Sequence, residues 1–348
     1  MNLSAVALAL ASAALFGVST PLAKSLLGSV DPWLLAGLFY LGSGVGLALA
    51  RVALPRRGPG AEAALAAHDI PWLVGAILSG GVIGPILLMV GLTRTDGTTA
   101  SLLLTVEGMA TALIAWFAFR ENFDRRILAG MGFIVAGAVV LASPGAAGVR
   151  DLTGPVAIVG ACIAWGLDNN LTRNVSLADP VQVAMIKGLT AGPVNLALGF
   201  AGGAALPPLQ ASVLAAIVGL FGYGVSLVLF VLALRHLGTA RTGAYFSTAP
   251  FLGAAVSVPL LGEAVSAQLL AAGALMAAGV WLHISERHGH EHRHERVVHT
   301  HRHVHDEHHR HGHDHDAPAG EPHSHEHAHV PLVHSHPHAP DSHHRHRH

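Results

Sequence analysis

The sequence predicts an all-α polytopic membrane protein: ten transmembrane helices arranged as two inverted five-helix repeats, followed by a disordered tail. Three observations carry this. The 348 residues are 51% hydrophobic and only 12% charged, against about 25% charged in ordinary soluble domains, and the mean hydropathy is +0.49. Apolar runs close to the ~20 residues that cross a ~30 Å hydrocarbon layer recur along the first four-fifths of the chain. The chain then changes material near Ser285, because 24 of its 27 histidines lie between Arg287 and His348.

The apolar runs are Leu3–Leu22, Trp33–Leu54, Ile70–Leu92, Thr98–Phe119, Ile127–Ala142, Gly154–Thr172, Val181–Ala201, Ala211–Leu234, Thr242–Leu261 and Val265–Ser285, separated by Pro, Gly and charge. The first is not read as a cleaved secretory signal. Met1 and Asn2 bring no positive charge, and the run exceeds the ~7–15 residues of a signal core. Within the first span, Pro21 is expected to break the helix and free backbone carbonyls. The 40 glycines let helix backbones approach closely in lipid, where small residues are the packing device.

Loop charge sets orientation. With the N-terminus inside, Arg51, Arg56, Arg57, Arg120, Arg125, Arg126, Arg173, Arg235 and Arg241 face the cytoplasm, while Lys24, Arg94 and Arg150 face out. Ten spans then return the tail to the cytoplasm, giving a multi-pass protein of the cell (cytoplasmic) membrane. Residues 1–285 hold 13 Lys and Arg against 11 Asp and Glu, and the tail holds 7 Arg against 10 acids. That near-neutral balance offers no basic footprint for nucleic acid. Cys162 is the single cysteine, which excludes an internal disulfide.

Shifting the sequence by 142 lays TASLLLTVEGMATALIAWFAFRE over RTGAYFSTAPFLGAAVSVPLLGE and matches Glu121 to Glu263. A shift of 148 to 149 matches Gly17 to Gly166, Lys24 to Arg173 and Asp31-Pro32 to Asp179-Pro180. Each copy has an odd number of helices, so the second enters the membrane from the opposite side, the arrangement that puts a transporter's site between its halves. The expected units are residues 1–145 and 150–285 as the two repeats, and 286–348 as the tail.

Polar residues inside the spans mark the candidate site, because charge in lipid is costly and turns toward a cavity or a partner. Glu107 lies about midway along the fourth span and is a candidate to bind a proton or a cationic group; the competing role is a structural carboxyl bonded to a neighbouring helix. Trp165, Asp168, Asn169 and Thr172 recur at intervals of three and four, forming one stripe that lines a cavity or packs helices. Lys187, with Asn195 on the same face, is expected to pair with Asp168 or Glu107. Lys24, at the outer end of the first span, either enters the cavity or snorkels. Glu121 and Glu263 end spans and are expected to cap or pair locally.

These features resemble the EamA-type exporters of the drug/metabolite transporter superfamily. The carrying motifs are Phe16, Gly17 and Lys24, their echo in Trp165, Gly166 and Arg173, the glutamates Glu121 and Glu263, and the glycine-rich fifth helix of each half. The resemblance covers about residues 1–285 and implies cytoplasmic termini, a central cavity lined by both halves, and secondary transport by alternating access. Such families export amino acids, nucleosides, drugs and other metabolites, so the cargo stays open. Glu107 departs from the family pattern, in which a proline is usual there. No phosphate-binding loop is present, no nucleophile constellation suggests an enzyme, and no cofactor is required.

The tail carries His288, His290, His292, His294, His299, His301, His303, His305, His308, His309, His311, His313, His315, His323, His325, His327 and His329 among its ligand candidates. Imidazoles in flexible His-x-His units suit zinc, nickel, cobalt or copper. Three functions therefore stand side by side: a secondary transporter exporting a small metabolite or drug, with proton coupling through Glu107 and Asp168; a divalent-metal exporter fed by the tail; and a membrane-anchored metal buffer. The expected partners are the bilayer, a small-molecule substrate and divalent metal ions, with a homodimer left open.

Overall fold

A computed structural model describes residues 3–53, 65–119, 125–143, 151–176 and 178–285, and the backbone of 289–293, 298–303, 323–328 and 333–337. The helices are α1 (Leu3–Leu26), α2 (Pro32–Ala53), α3 (Ile70–Ala76), α4 (Gly84–Thr93), α5 (Gly97–Leu103), α6 (Val106–Phe119), α7 (Arg125–Ala142), α8 (Thr153–Asn174), α9 (Pro180–Ala201), α10 (Leu209–Gly219), α11 (Ser226–Phe246), α12 (Ala249–Leu261) and α13 (Ala267–Ile284). Two π-helical segments interrupt this order, Ile77–Ile83 between α3 and α4, and Leu220–Val225 between α10 and α11. Among the described residues eight helical stretches are long and apolar enough to cross a membrane, and Leu128–Ala142 adds a shorter apolar helix. The chain is a polytopic membrane protein. Helix α8 is less apolar than these eight because of Asp168, Asn169, Asn170 and Arg173, although Val156, Ile163 and Leu167 leave it an exposed apolar face.

Helix starts follow from local chemistry. Asp31 accepts from the Trp33 and Leu34 amides at 2.9 and 3.4 Å, and Asp179 does the same for Val181 and Gln182 at 2.9 and 3.2 Å. In both cases proline fills the first helical position, where its missing N–H costs nothing. Ser266 caps α13 through the Leu269 amide.

Helix α2 packs along α9 and α7 along α13, while α1 lies against α11 and α12, and α8 against α4 and α6. The two like-with-like pairs run antiparallel. Arg51 near the end of α2 bonds Asp179 at the start of α9 at 2.7 Å. Gln268 early in α13 donates to the Val140 and Ser143 carbonyls at the end of α7, and Arg126 reaches the Ser285 carbonyl at the other end. Close approach is built from glycine: a side chain at Gly188 would strike the Gly44 backbone of α2, and one at Gly17 would strike the Ala249 carbonyl of α12.

Four expectations about local structure are corrected. Pro21 does not break α1, which continues to Leu26; membrane helices tolerate proline where neighbouring helices enclose the freed carbonyl, and the Gly17 carbonyl indeed lies against Gly253. The fourth span is two helices, α5 and α6, parted at Leu104–Thr105. Between the eighth and ninth runs, the backbone from Arg235 to Arg241 is helical within α11 rather than an open loop, in keeping with its Leu, Arg and Ala content. The tail, expected to be disordered, has its backbone drawn into antiparallel ribbons that pair β1 (Gly289–Arg293) with β4 (Val333–Pro337) and β2 (Val298–His303) with β3 (His323–Ala328). A strictly alternating sequence satisfies the period of a strand, but a two-stranded ribbon without a covering layer is marginal in water.

Candidate functional site

The site grows from a defect in the third span. Its centre reads Ile77-Leu78-Ser79-Gly80-Gly81 and is followed by Pro85. The Gly84 amide reaches back five residues to the Ser79 carbonyl, so in the same register the Gly80 carbonyl faces Pro85, which has no N–H. Two side chains from other spans supply the missing donors: Tyr40 Oη at 2.6 Å and Trp165 Nε1 at 3.0 Å. The next carbonyl, Gly81, accepts from Asn195 Nδ2 at 2.9 Å. A π-segment thus ties α2, α8 and α9 together, and such segments recur at functional sites.

Asp168 lies against this segment, since any side chain at Gly80 would collide with its carboxylate. Lys187 Nζ bonds both carboxylate oxygens, at 2.6 and 2.8 Å, and Thr172 Oγ1 donates to one of them at 2.8 Å. Lys187 is 1% exposed and Asp168 6%. Of the two partners the sequence allows for Lys187, the structure therefore selects Asp168. A buried pair of this kind cancels its own charge, and removing one member would strand the other in a dry interior.

Glu107 stands in the first turn of α6, just after the Leu104–Thr105 break, 7% exposed. Its position puts a carboxylate at the positive end of a half-helix. Asn169 Nδ2 donates to Glu107 Oε1 at 3.0 Å and lies 3.1 Å from Thr111 Oγ1, while Asn170 Nδ2 reaches the Thr111 carbonyl at 3.0 Å. Gly166 permits this closeness, because a Cβ there would meet the Ala110–Thr111 backbone. Among the described residues Glu107 makes no ion pair.

Aromatic rings close the arrangement. Phe16 contacts Trp165 edge-on at 5.6 Å between centroids, and also Tyr223 at 5.7 Å and Phe246 at 5.3 Å. Tyr223 in turn meets Tyr40 at 5.3 Å. The stripe of Trp165, Asp168, Asn169 and Thr172 is thereby brought together with Glu107 and Lys187.

Lys24 is not with them. It donates to the Leu92 and Thr95 carbonyls at 2.5 and 2.9 Å, finishing the open C-terminal end of α4. Beside it Glu263 accepts from the Gly97 and Thr98 amides at 2.5 and 2.7 Å, so this glutamate caps α5 rather than its own helix. Asp96 caps the same helix. Although burial opposes its charge, bonds from Thr99 and Thr98 win and hold its carboxyl below the usual carboxylate range. Glu121 and all the tail histidine side chains lie outside the described residues. Among the described residues no group of His, Cys, Asp and Glu is placed to hold a metal ion.

Sequence reasoning missed Tyr40, Thr111, Asn170 and the cross-molecule reach of Glu263. The readable signal was the Gly80-Gly81 pair four residues ahead of Pro85, a mid-span site of backbone carbonyls without helical donors.

The family model described as the EamA-like transporter family matches residues 3–143 and 152–285. An uncharacterized transporter from Methanothermobacter thermautotrophicus is 28% identical over 282 residues, covering 77% of this chain and 82% of that protein. A solved crystal structure superposes with a TM-score of 0.62 at 21% identity, covering 81% of this chain and 98% of its own, and so shares the fold.

Proposed function

The chain belongs to the EamA-like transporter family, and from that premise we propose that it is a secondary transporter exporting a small metabolite or drug across the cell membrane by alternating access. The proposal includes two five-helix halves of opposite orientation and both termini in the cytoplasm. The observation that carries it is the buried polar cluster of Glu107, Asn169, Asp168 and Lys187, set where a broken span and a π-segment meet. Discontinuous helices and exposed carbonyls at mid-membrane are how such transporters build substrate sites. The antiparallel pairing of α2 with α9 and of α7 with α13 supports the inversion, and the carboxyl of Glu107, with an amide for a partner, supports a proton as the coupling ion.

Inside-out vesicles loaded outside with cell extract test it. Uptake of a defined solute, driven by an imposed pH gradient and absent from vesicles lacking the protein, is the expected result. Transport that ignores the gradient and survives Glu107→Gln removes the coupling role.

The density of histidines after Ser285 supports an accessory reading, in which the tail gathers zinc, nickel, cobalt or copper at the inner face. Truncation after Ser285 is expected to abolish metal retention and to leave solute transport in place. Loss of transport with loss of metal would instead favour metal as the cargo.

A further inference from the structure

We propose that the tail is a metal-templated hairpin, in which each set of four histidines on two neighbouring rungs takes one late first-row divalent ion, zinc or cobalt. The proposal rests on the reading of the tail as a metal-gathering segment and adds its ligands, its stoichiometry and its fold. It also adds His334 and His336 to the ligand candidates.

Register is the first argument. Between β2 and β3, His299 pairs with His327, His301 with His325 and His303 with His323. Between β1 and β4, His290 pairs with His336 and His292 with His334. Four residues separate the strands on either arm, 294–297 and 329–332, so both ribbons belong to one hairpin register. The histidines of these pairs stand at even positions in β1 and β4 and at odd positions in β2 and β3. The phase changes on both arms together, and histidine therefore meets histidine in both ribbons. A slip of one residue in the pairing would remove every one of these pairs.

Ligand chemistry is the second argument. Residues two apart on a strand share a face at a spacing of about 7 Å, and residues paired across an antiparallel ribbon are about 5 Å apart. Two neighbouring rungs thus place four histidines at the corners of a small rectangle on one face: His290, His292, His334 and His336 in one ribbon, and His301 and His325 with an adjacent pair in the other. Four imidazole nitrogens at about 2.0–2.1 Å make a closed tetrahedral zinc site. Thr300, Arg302, Ser324 and Glu326 alternate with the histidines and belong to the other face. The histidine face then holds neither carboxylate nor thiol, a donor set that selects late first-row ions over magnesium or calcium. Ribbon and ion depend on each other. A two-stranded ribbon alone is marginal in water, and joining His303 to His323 carries a loop-closure cost that grows only slowly with length. Metal bonds supply the missing stabilisation, as in small domains that fold only with their ion.

The test uses the purified full chain in detergent with zinc as the probe. The chain is expected to keep about two zinc ions against a competing chelator, one for each four-histidine set. His301→Ala with His325→Ala removes the middle rung of β2 and β3 and should halve the retained zinc. His346→Ala with His348→Ala removes the same number of histidines at the same spacing outside the paired strands and should leave the retained zinc unchanged. Cobalt in place of zinc should give the intense visible bands of a four-coordinate ion, and excess magnesium should displace neither. The fold is read separately by electron paramagnetic resonance. Nitroxides at Thr300→Cys and Glu326→Cys occupy paired positions on the other face, while the native Cys162 is fully buried. Their lines should broaden when zinc is added and sharpen when it is chelated, whereas Thr300→Cys with Ser335→Cys should show no broadening. Equal zinc loss in the two histidine variants, or equal broadening in the two label pairs, or none in either, overturns the hairpin and leaves a tail that gathers metal without order. A full chain that retains no zinc overturns the hairpin and the metal role of the tail together, and leaves the transporter reading untouched.

Discussion

Two sub-bundles of this protein share a backbone plan and differ in chemistry. Helix α1 lies against α11 and α12, and α8 lies against α4 and α6. The shift that matches Gly17 to Gly166 also sets Ser19 opposite Asp168 and Thr20 opposite Asn169. Around the middle of α1 the polar contacts are between hydroxyls and backbone: Ser12 and Ser226 exchange bonds with each other's carbonyls at 2.7 and 2.9 Å, and Ser19 returns to the Phe16 carbonyl of its own helix. Around α8 they are carboxylates, amides and an ammonium. Both halves also carry a π-segment, but only the first is followed by a proline that leaves carbonyls for side chains to fill. In the second, Tyr223 offers a ring to Phe16, Phe39 and Tyr40 instead. The difference teaches that the repeated frame supplies breaks and close packing, while the charged chemistry is concentrated on one side of it.

The sharpest way to break this comparison is at the matched positions 19 and 168. Asp168→Ala strands the buried Lys187 ammonium and is expected to cost about 3–5 kcal/mol, read as a large drop in the thermal unfolding midpoint in detergent. Pairing Asp168→Asn with Lys187→Met should recover most of that loss. Ser19→Ala removes a single local bond and should cost about 1 kcal/mol or less. Equal losses at the two positions would mean that the sub-bundles are energetically alike.

A second contrast concerns the π-segments. Trp165→Phe leaves Tyr40 on the Gly80 carbonyl, whereas combining it with Tyr40→Phe leaves a buried acceptor without a donor, at about 1–3 kcal/mol. The double variant should exceed the sum of the singles in a double-mutant cycle, while Tyr223→Phe in the other π-segment changes stability little.

Smaller effects sharpen the comparison at the helix ends. Asp96→Ala removes the cap on α5 and should cost about 1 kcal/mol at neutral pH. Because the folded carboxyl is held below its unfolded value of about 3.9, the stabilisation is present above that value and is lost as pH falls through the lowered folded one. The difference between Asp96→Ala and the parent, measured by unfolding from pH 7 to pH 3, should therefore shrink on acidification. Its counterpart 142 residues on is Gly238, which has no side chain to titrate. Smallest of all, Ser12→Ala should cost roughly 0.6 kcal/mol for each interhelical bond lost in a membrane setting.

Much of the candidate site was legible before any coordinates. The stripe on α8 was readable because residues at three- and four-residue spacing must share a helix face, and Lys187 and Glu107 stood out because charge is rare within apolar runs. Their partners were not legible. Lys187 lies 19 residues from Asp168 in sequence, and nothing local chooses between that carboxylate and Glu107. Lys24 looked equivalent to its counterpart Arg173 and proved to be a terminator of α4, a role set by where another span happens to end.

Left to itself, the sequence determined where the apolar spans lie and the caps at Asp31, Asp96, Asp179 and Ser266, because apolar run length and capping chemistry are properties of neighbouring residues. The tertiary structure decided that Pro21 is accommodated, that the fourth span breaks at Leu104–Thr105, that Glu263 serves helix α5, and that Glu107 makes no ion pair among the described residues. Each of these turns on which atoms from distant parts of the chain come within about 3 Å, the range in which hydrogen bonds and ion pairs are made.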